Sequence, residues 1–237
     1  MEQRKFGGIF VRRNNWTLSG RAKIVVLVIV ATGLGYVWMN ISSFLGVNNG
    51  GSAETMVVEG WVSARKVDQA AAAFKHGHYQ RVIVVRDVYD EGDKWASGRY
   101  SADYVATDLI QNGIPKDVVQ TLFCAVVHKD RTYHCALAVR DWLVQNGIST
   151  KSLDVVTLAT HARRSRLIYE KVFGHSVSVA AIALDDPSYD PAHWWQSSEG
   201  AREVVGETIA YAYVRFFFWP HPSNAKKDKE QYWSSSG

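Results

Sequence analysis

The sequence predicts an α/β protein in which a parallel sheet of about five strands is flanked by helices and preceded by one N-terminal transmembrane helix. Three observations predict this fold class. Short β-branched runs alternate with amphipathic segments beyond residue 54, which is typical of βαβ units. A glycine follows each of four such amphipathic segments, where helices commonly end. No charged residue occurs between Lys23 and Glu54, so a bilayer-spanning segment fits there.

Residues 1–23 form a basic leader that holds six basic residues and one acidic residue. The remaining 214 residues hold 21 basic and 22 acidic side chains, so the net charge of +4 describes the leader and not the folded part. A nucleic-acid-binding domain needs a clustered cationic face. The sequence therefore predicts no nucleic-acid partner.

The predicted transmembrane helix begins at Ile24 and ends at Leu45, because a stretch of about 20 apolar residues crosses a bilayer core. The lipid bilayer is thus a predicted partner. The basic residues precede the span, so the positive-inside rule keeps residues 1–23 in the cytoplasm and exports everything after the span. A cleaved signal peptide is the alternative, since Gly51-Ser52-Ala53 is rich in small residues. The long cationic lead favours the anchor.

Residues 46–54 are predicted to be a short flexible linker because they are rich in Asn, Gly and Ser. Residues 55–220 are the predicted α/β domain, and residues 221–237 are a polar tail. Strands are predicted at residues 55–59, 81–86, 118–123, 152–158 and 176–181. Helices are predicted at residues 64–76, 101–112, 132–145, 160–173 and 197 to about 218.

The last predicted helix ends in an aromatic run that Arg215 interrupts. That run is too short for a second membrane crossing, so a helix packed on the sheet is favoured. Its aromatic end has the composition of segments that enter membrane interfaces.

Polar side chains follow the predicted strands, at the edge where a doubly wound sheet binds ligands. They are Glu59, Arg86, Asp87, Tyr89, Asp90, Glu91, His128, Lys129, Asp130, Arg131, Thr132 and residues 157–164.

Three segments at this edge carry a resemblance to a known family: VVEGW at residues 57–61, DRTYHCALAVRDWL at 130–143 and VVTLATHARRSRLIYEKVFG at 155–174. Over about residues 55–215 the chain resembles the DUF218 family, the SanA/YdcF/ElyC group of bacterial envelope proteins. The resemblance implies a Rossmann-like α/β fold, a place in the bacterial inner (plasma) membrane and a role in peptidoglycan or exopolysaccharide assembly.

Carried across residue by residue, the family's threonine falls on Thr132, with Asp130 two residues before it, and the family's histidine and arginine fall on His161 and Arg164. The chain departs from the family pattern at Glu59-Gly60, Val85-Arg86-Asp87, Ser101, Cys135 and Leu158. Lost glycines restrict how closely a backbone approaches a phosphate, so the resemblance implies a divergent member with an altered ligand site.

His161, Arg163 and Arg164 place three cations in the first turn of a predicted helix. Cations are unfavourable at the positive end of a helix dipole, so their presence there favours an anionic, phosphate-bearing ligand. The alternative is that loop carboxylates neutralise the arginines of this helix, with Arg163, Arg164 and Arg166 paired to Asp130, Asp185 or Asp186.

The predicted catalytic residues are Glu59 and His161, and the predicted ligand-binding residues are Asp130, Thr132, Arg163 and Arg164. Glu59 at a strand tip is suited to act as a general base or to accept a hydrogen bond from a sugar hydroxyl; otherwise it is a solvated loop carboxylate. Asp130 is equally well explained as a helix N-cap.

No metal and no cofactor are predicted. His76 and His78 have metal-like spacing but lie at a helix end, where capping is favoured, and the Asp185–His193 segment has no recognised metal spacing. Trp194-Trp195 is predicted to be a hydrophobic lid, with sugar stacking as the alternative. Export permits a disulfide between Cys124 and Cys135, but their predicted positions leave the bridge open.

The sequence thus favours a membrane-anchored cell-envelope factor that binds, and in one version processes, an anionic intermediate of cell-wall or exopolysaccharide assembly. One alternative is a nucleotide- or S-adenosylmethionine-binding enzyme, which the fold suggests by analogy. The other is a non-catalytic module that binds an envelope protein partner.

Overall fold

The structure, a computed structural model, describes residues 4–5, 10–13, 15–60, 62, 64–87, 102–124 and 129–219. The chain divides into two compact units, Met1–Ile41 and Ser42–Gly237. In the first unit, strands β1 (Arg4–Lys5), β2 (Phe10–Arg13) and β3 (Asn15–Leu18) form an antiparallel sheet in that order.

Helix α1 (Gly20–Leu45) follows β3 and is 26 residues long, or about 39 Å at 1.5 Å per residue. It begins four residues before the predicted span and ends at the predicted residue. Its most apolar window has a mean hydropathy of 2.1 and none of that window is buried. By length and composition α1 can cross a membrane once, in agreement with the predicted association with a lipid bilayer.

The second unit is built on a five-stranded parallel sheet, which confirms the predicted α/β fold class. Its strands are β4 (Thr55–Glu59), β5 (Arg81–Asp87), β6 (Val119–Cys124), β7 (Ser152–Leu158) and β8 (Ser178–Leu184). The spatial order is β6-β5-β4-β7-β8. In the centre, Met56 lies opposite Val82 on one side and Asp154 on the other.

Among the residues that the structure describes, five helices flank or follow the sheet: α2 (Ala64–His76), α3 (Ala102–Gln111), α4 (Arg131–Gln145), α5 (His161–Phe173) and α6 (Ser198–Phe216). Short 3-10 turns occupy Lys116–Val118, Gly174–Ser176 and Pro191–Gln196. The turn at Gly174–Ser176 delays the last strand, which therefore begins two residues later than predicted.

The core has two layers because the strands are buried on both faces. Alternate residues of β4 show the division: Met56 and Val58 pack in the layer that contains α2 and α3, whereas Val57 packs in the layer that contains α4 and α5. Helix α6 joins the second layer through Val214 and lies against α5. This layering places the starts of α4 and α5 at the carboxyl edge of the sheet.

Three of the four glycines predicted to end helices adopt a positive φ, namely Gly113, Gly147 and Gly174. Gly77 does not, so the left-handed cap predicted there is wrong. A Cβ atom at Gly77 would collide with the ring of Tyr79, and this close approach explains the glycine.

The segment at residues 46–54, predicted to be flexible, is instead bonded to the sheet. The backbone N–H groups of Asn49 and Gly50 donate to the carbonyl of Ala181, and Gly51 N–H donates to Oδ2 of Asp154 at 2.6 Å. A Cβ at Gly50 would lie 2.6 Å from Ile182 Cγ1, so only glycine fits there. Composition indicates chain flexibility but not which backbone groups find partners, and the expectation of a free linker is therefore wrong.

Cys124 and Cys135 form a disulfide, which resolves the alternative that the sequence left open. Their Cα atoms lie 4.8 Å apart, within the range that a bridge requires. Cys124 ends β6 and Cys135 lies in the second turn of α4, so the bridge ties the carboxyl end of a strand to the helix that carries Thr132.

Candidate functional site

The candidate site lies where β4 and β7 run side by side at the carboxyl edge of the sheet. From β4 the chain builds the sheet outward through β5 and β6, and from β7 it builds outward through β8 in the opposite direction. Open α/β sheets bind ligands in the crevice at such a reversal. Glu59 ends β4 and Leu158 ends β7, and α5 begins at His161.

Glu59 is buried at this edge, with 5% of its surface exposed, so the alternative of a solvated loop carboxylate is wrong. Its Oε2 accepts a hydrogen bond from the Thr157 hydroxyl at 2.5 Å, and its Oε1 accepts one from Ser165 at 3.0 Å. The Tyr169 phenol is fully buried near Glu59. Burial raises the pKa of Tyr169 well above its ordinary value, and the charge of Glu59 raises it further. Glu59 is therefore held as a fixed acceptor at the carboxyl end of β4.

Arg164 forms a two-pronged ion pair with Glu207 of α6. Its Nε donates to Oε2 at 2.7 Å and its Nη2 donates to Oε1 at 3.0 Å. The same Nη2 lies 2.9 Å from Nδ1 of His161. Both members of the pair are largely buried, and bidentate pairs of this kind are strong and geometrically specific.

The pKa of Arg164 reflects these opposing influences. Burial acts to lower it, but the hydrogen bond and charge of Glu207 raise it above the ordinary arginine value. Arg164 is thus charged, and much of that charge is neutralised by a carboxylate that the sequence did not assign to it.

His161 lies between two carboxylates of α6. Its Nδ1 is 3.1 Å from Oε1 of Glu207, and its Nε2 is 3.4 Å from Oε2 of Glu203. When Arg164 donates to Nδ1, the neutral imidazole carries its proton on Nε2 and donates to Glu203. When the ring is protonated, both nitrogens donate to carboxylates. The arrangement suits proton transfer, because either charge state of the ring finds partners.

Thr132 completes the cluster from the first turn of α4. Its hydroxyl oxygen accepts from Nη1 of Arg164 at 3.5 Å. The structure thus brings Thr132, His161 and Arg164 together, with Glu59 close enough for its charge to raise the pKa of Arg164 further.

Both helices that meet here begin without a side-chain cap, whereas α6 is capped by Ser197. Asp130 occupies the N-cap position of α4, as the alternative proposed, and its carbonyl accepts from Tyr133 N–H, but its side chain makes no capping hydrogen bond. Its φ of 53° is unusual for a residue other than glycine, as is the φ of 34° at Ala159 before α5. Asp130 is exposed and lies outside the hydrogen-bonded cluster described above.

Arg163 points away from the cluster. Its Nε donates to the carbonyl oxygen of Phe44, and its guanidinium lies over the Phe44 ring at 3.9 Å from the centroid. On a helix, neighbours in sequence project about 100° apart, so Arg163 and Arg164 do not act on one ligand. The structure therefore does not support Arg163 as part of the same binding site.

The arginines of α5 are not neutralised by the loop carboxylates suggested from the sequence. Arg166 pairs with Glu170 one turn along the same helix at 2.8 Å. Lys66 of α2 contacts that loop instead, with its ammonium 3.9 Å from Asp186. The expected pairings of Arg163, Arg164 and Arg166 with Asp130, Asp185 or Asp186 are wrong.

Sequence reasoning missed the carboxylates of α6 and the hydroxyls that hold Glu59. Glu203 and Glu207 are four residues apart and therefore share one helix face. An acidic pair at that spacing, with no other charged residue between Arg202 and Arg215, was the signal that could have indicated an inward-facing partner. Thr157 and Ser165 gave no signal beyond their positions on β7 and α5.

The remaining sequence hypotheses concern metals and tryptophans. In the described part of the chain, no group of three or more His, Cys, Asp or Glu side chains could hold a metal ion. Asp190 instead accepts from Ala192 N–H at 2.9 Å and faces Nδ1 of His193 at 2.7 Å. Trp194 is buried, as a lid would be. Trp61, Tyr89, Asp90, Glu91, Ser101, His128 and the tail at 221–237 lie outside the described residues.

Comparisons with protein families, curated proteins and solved structures found no significant match to this chain. The fold and the site therefore define its class: an α/β protein with a candidate membrane span among its described residues and a polar side-chain cluster at the carboxyl edge of the sheet, beside β4 and β7.

Glu203 gives the site a pH dependence that unfolding measurements can detect. The hydrogen bond from His161 lowers the pKa of Glu203 below its ordinary value of 4.5. A lowered carboxyl pKa adds stability that is fully present above the ordinary value and is lost as pH falls through the lowered one. We expect the urea concentration at the unfolding midpoint of the full chain to decrease as the pH is lowered below 4.5. The decrease should be smaller in Glu203→Gln. An identical acid profile in the variant would contradict this assignment.

Proposed function

We propose that this protein is a membrane-anchored cell-envelope biogenesis factor of the DUF218 type that its sequence resembles. In this proposal α1 anchors it in the bacterial inner membrane with its N-terminus in the cytoplasm, and the α/β unit is exported. The basic leader supports this orientation through the positive-inside rule. The Cys124–Cys135 bridge supports it independently, because disulfides persist in oxidising compartments outside the cytoplasm.

The proposed ligand is an anionic, phosphate-bearing intermediate of cell-wall or exopolysaccharide assembly. One observation carries this assignment: Thr132, His161 and Arg164 meet where α4 and α5 begin without side-chain caps. Two helix starts supply backbone donors and the positive ends of two dipoles to the same crevice.

The geometry changes which groups bind the anion. Because Glu207 offsets the charge of Arg164, the guanidinium orients the Thr132 hydroxyl and the His161 ring more than it attracts the ligand. The helix starts, the hydroxyl and the imidazole are then the groups that contact phosphate oxygens. His161, held between two carboxylates, is the group suited to move a proton if the ligand is processed.

Calorimetric titration of the detergent-solubilised full chain with inorganic pyrophosphate tests the proposal. Thr132→Val and His161→Gln each remove one hydrogen bond to a charged ligand, so each should weaken binding about tenfold. Arg166→Gln is the matched control, since it removes a cation of the same helix that faces Glu170, and it should bind as the wild type does. Equal affinities for all four proteins, or no binding by the wild type, would refute the assignment.

The strand order β6-β5-β4-β7-β8 favours a second candidate function. It corresponds to the central order of sheets that bind dinucleotides, so a nucleotide or S-adenosylmethionine ligand is the alternative. An added Cβ at Gly60 would lie 2.9 Å from Cβ of Arg86, so the Arg86 side chain packs against the loop that follows β4. This contact reduces the space available to a nucleotide at the end of β4. The same titration with these cofactors separates the candidates, because only this alternative expects them to bind while pyrophosphate does not.

A further inference from the structure

The outward face of α6 is apolar. Side chains three or four residues apart along α6 project on this face, and two residues that follow the end of the helix continue it. They are exposed over 44% to 74% of their surfaces: Val205, Ile209, Tyr213, Phe216, Phe217 and Trp219. We call these six residues the α6 stripe.

Glu203 and Glu207 of the same helix face α5, whereas Arg202 and Arg215, on either side of its central part, are exposed. Glu207 is buried against Arg164, and Glu203 faces His161. From Val204 to Val214 the helix therefore exposes no charged side chain. A helix on the surface of a water-soluble protein has the opposite arrangement, with its polar side outward. Contiguous exposed apolar surface of this kind marks a contact with a membrane or another protein.

The end of the candidate membrane span lies next to this helix. Phe44, one residue before α1 ends, packs edge-on against Tyr211 of α6 with ring centroids 5.5 Å apart. If α1 crosses a bilayer, Phe44 lies at its interface. A helix with its side chains is about 10–12 Å across, so Ile209 and Tyr213 of the α6 stripe, each two residues from Tyr211, lie within about that distance of it. The polar interfacial layer of a bilayer is itself about 5–8 Å thick on each side.

Cations border the stripe at its aromatic end. The Lys171 ammonium lies 4.7 Å from the centre of the Trp219 ring, and the Arg215 guanidinium lies 5.7 Å from that of Phe216. Tryptophan beside lysine or arginine is the combination that settles at the level of lipid headgroups, with the ring in the acyl boundary and the cation near phosphate. Of the two kinds of contact, this pairing of exposed rings and cations favours a phospholipid surface.

We propose that the α6 stripe is a second membrane contact, which docks the α/β unit on the phospholipid headgroup region beside the end of α1. This rests on the part of the proposed function that anchors α1 in a membrane. It goes further, because it places the whole α/β unit on the membrane surface. Helix α6 then contacts the lipid, and α5, which packs against α6 and carries His161 and Arg164, lies next above it. A lipid-linked substrate would then be reached without leaving the bilayer.

Depth-dependent quenching tests the proposal in liposomes that contain phosphatidylglycerol. Both native cysteines are bridged, so an introduced thiol takes a fluorescent label selectively. The full chain carries the label at Ile209→Cys or Phe217→Cys, and Val144→Cys is the control. Val144 is apolar and 72% exposed, much as Phe217 is 74% exposed. Val144 also lies away from the stripe. Tyr133 at the start of α4 packs against Phe218, and Val144 is eleven residues further along that helix, about 16 Å from Tyr133.

We expect labels at 209 and 217 to be quenched several-fold more by lipid-borne nitroxide than the label at 144. Replacing phosphatidylglycerol with phosphatidylcholine should reduce quenching at 217, because Lys171 and Arg215 lose their anionic partners. Equal quenching at all three sites in protein that floats with the liposomes would overturn the docking proposal while leaving the anchor intact. Protein that fails to float would overturn both. Cross-linking between Phe217→Cys of two chains, without lipid quenching, would assign the stripe to a second copy and overturn the proposal.

Discussion

Arg164→Ala is expected to destabilise the folded protein by about 3–5 kcal/mol, because removing one member of a buried ion pair leaves the other uncompensated. The partner left behind is Glu207, whose side chain is only 9% exposed, so solvent has little access to replace the two hydrogen bonds it loses. Denaturant unfolding of the full chain in detergent micelles measures the loss.

Two further variants make this expectation specific. Arg164→Met combined with Glu207→Leu removes both charges together, so it should recover most of the stability that Arg164→Ala loses. Arg166→Ala removes a more exposed cation of the same helix, paired with Glu170, and should cost less than about 1 kcal/mol. If Arg164→Ala and Arg166→Ala reduced stability equally little, the buried ion pair between Arg164 and Glu207 would not contribute to stability as expected.

This expectation changes how functional experiments on Arg164 are interpreted. A variant that unfolds also loses any phosphate binding, so loss of envelope function in Arg164→Ala does not by itself identify a ligand contact. Thr132→Val and His161→Gln are better probes. Each removes a polar group of the candidate site but keeps the bidentate pair between Arg164 and buried Glu207.

Loss of the disulfide is expected to have the second largest effect. Cys124→Ala combined with Cys135→Ala should destabilise the full chain by about 3 kcal/mol, as expected when a bridge that closes a loop of about a dozen residues no longer restricts the unfolded chain. Thermal unfolding with and without dithiothreitol measures this effect. The reductant should lower the midpoint of the wild type and leave that of the double variant unchanged.

The disulfide also has a local consequence for the candidate site. It joins the end of β6 to α4, whose first turn carries Thr132. Reduction should therefore weaken pyrophosphate binding in addition to stability. A wild type whose midpoint is insensitive to dithiothreitol would show that the bridge does not contribute to the folded state.

The secondary structure of the α/β unit was largely predictable because its signals are local. The bounds of β4, β7 and α2 agree with the predicted segments residue for residue. Runs of β-branched residues define the strands, and glycines follow the helices. The end of α1 at Leu45 was predictable for the same reason, since apolar content over about 20 residues is a property of contiguous sequence.

The candidate site was only partly predictable. Thr132, His161 and Arg164 were all expected at the crevice, and the structure brings them together. Arg163 was expected beside them but faces Phe44, because the helical rotation between neighbouring residues turns it away. Glu203 and Glu207 were not expected at all. Arg164 and Glu207 are 43 residues apart, and no local pattern indicates which distant carboxylate will pack against a given cation.

Local patterns in the chain thus established the α/β class, the element bounds and a candidate membrane span, because periodicity and charge act over a few turns of chain. Packing alone decided that Glu59 is buried, that the segment at 46–54 is bonded to the sheet and that Cys124 meets Cys135. It also decided that α6 turns Glu203 and Glu207 toward α5 and an apolar side outward. Each of these depends on which distant groups meet, and that is set by the order of strands and the docking of helices.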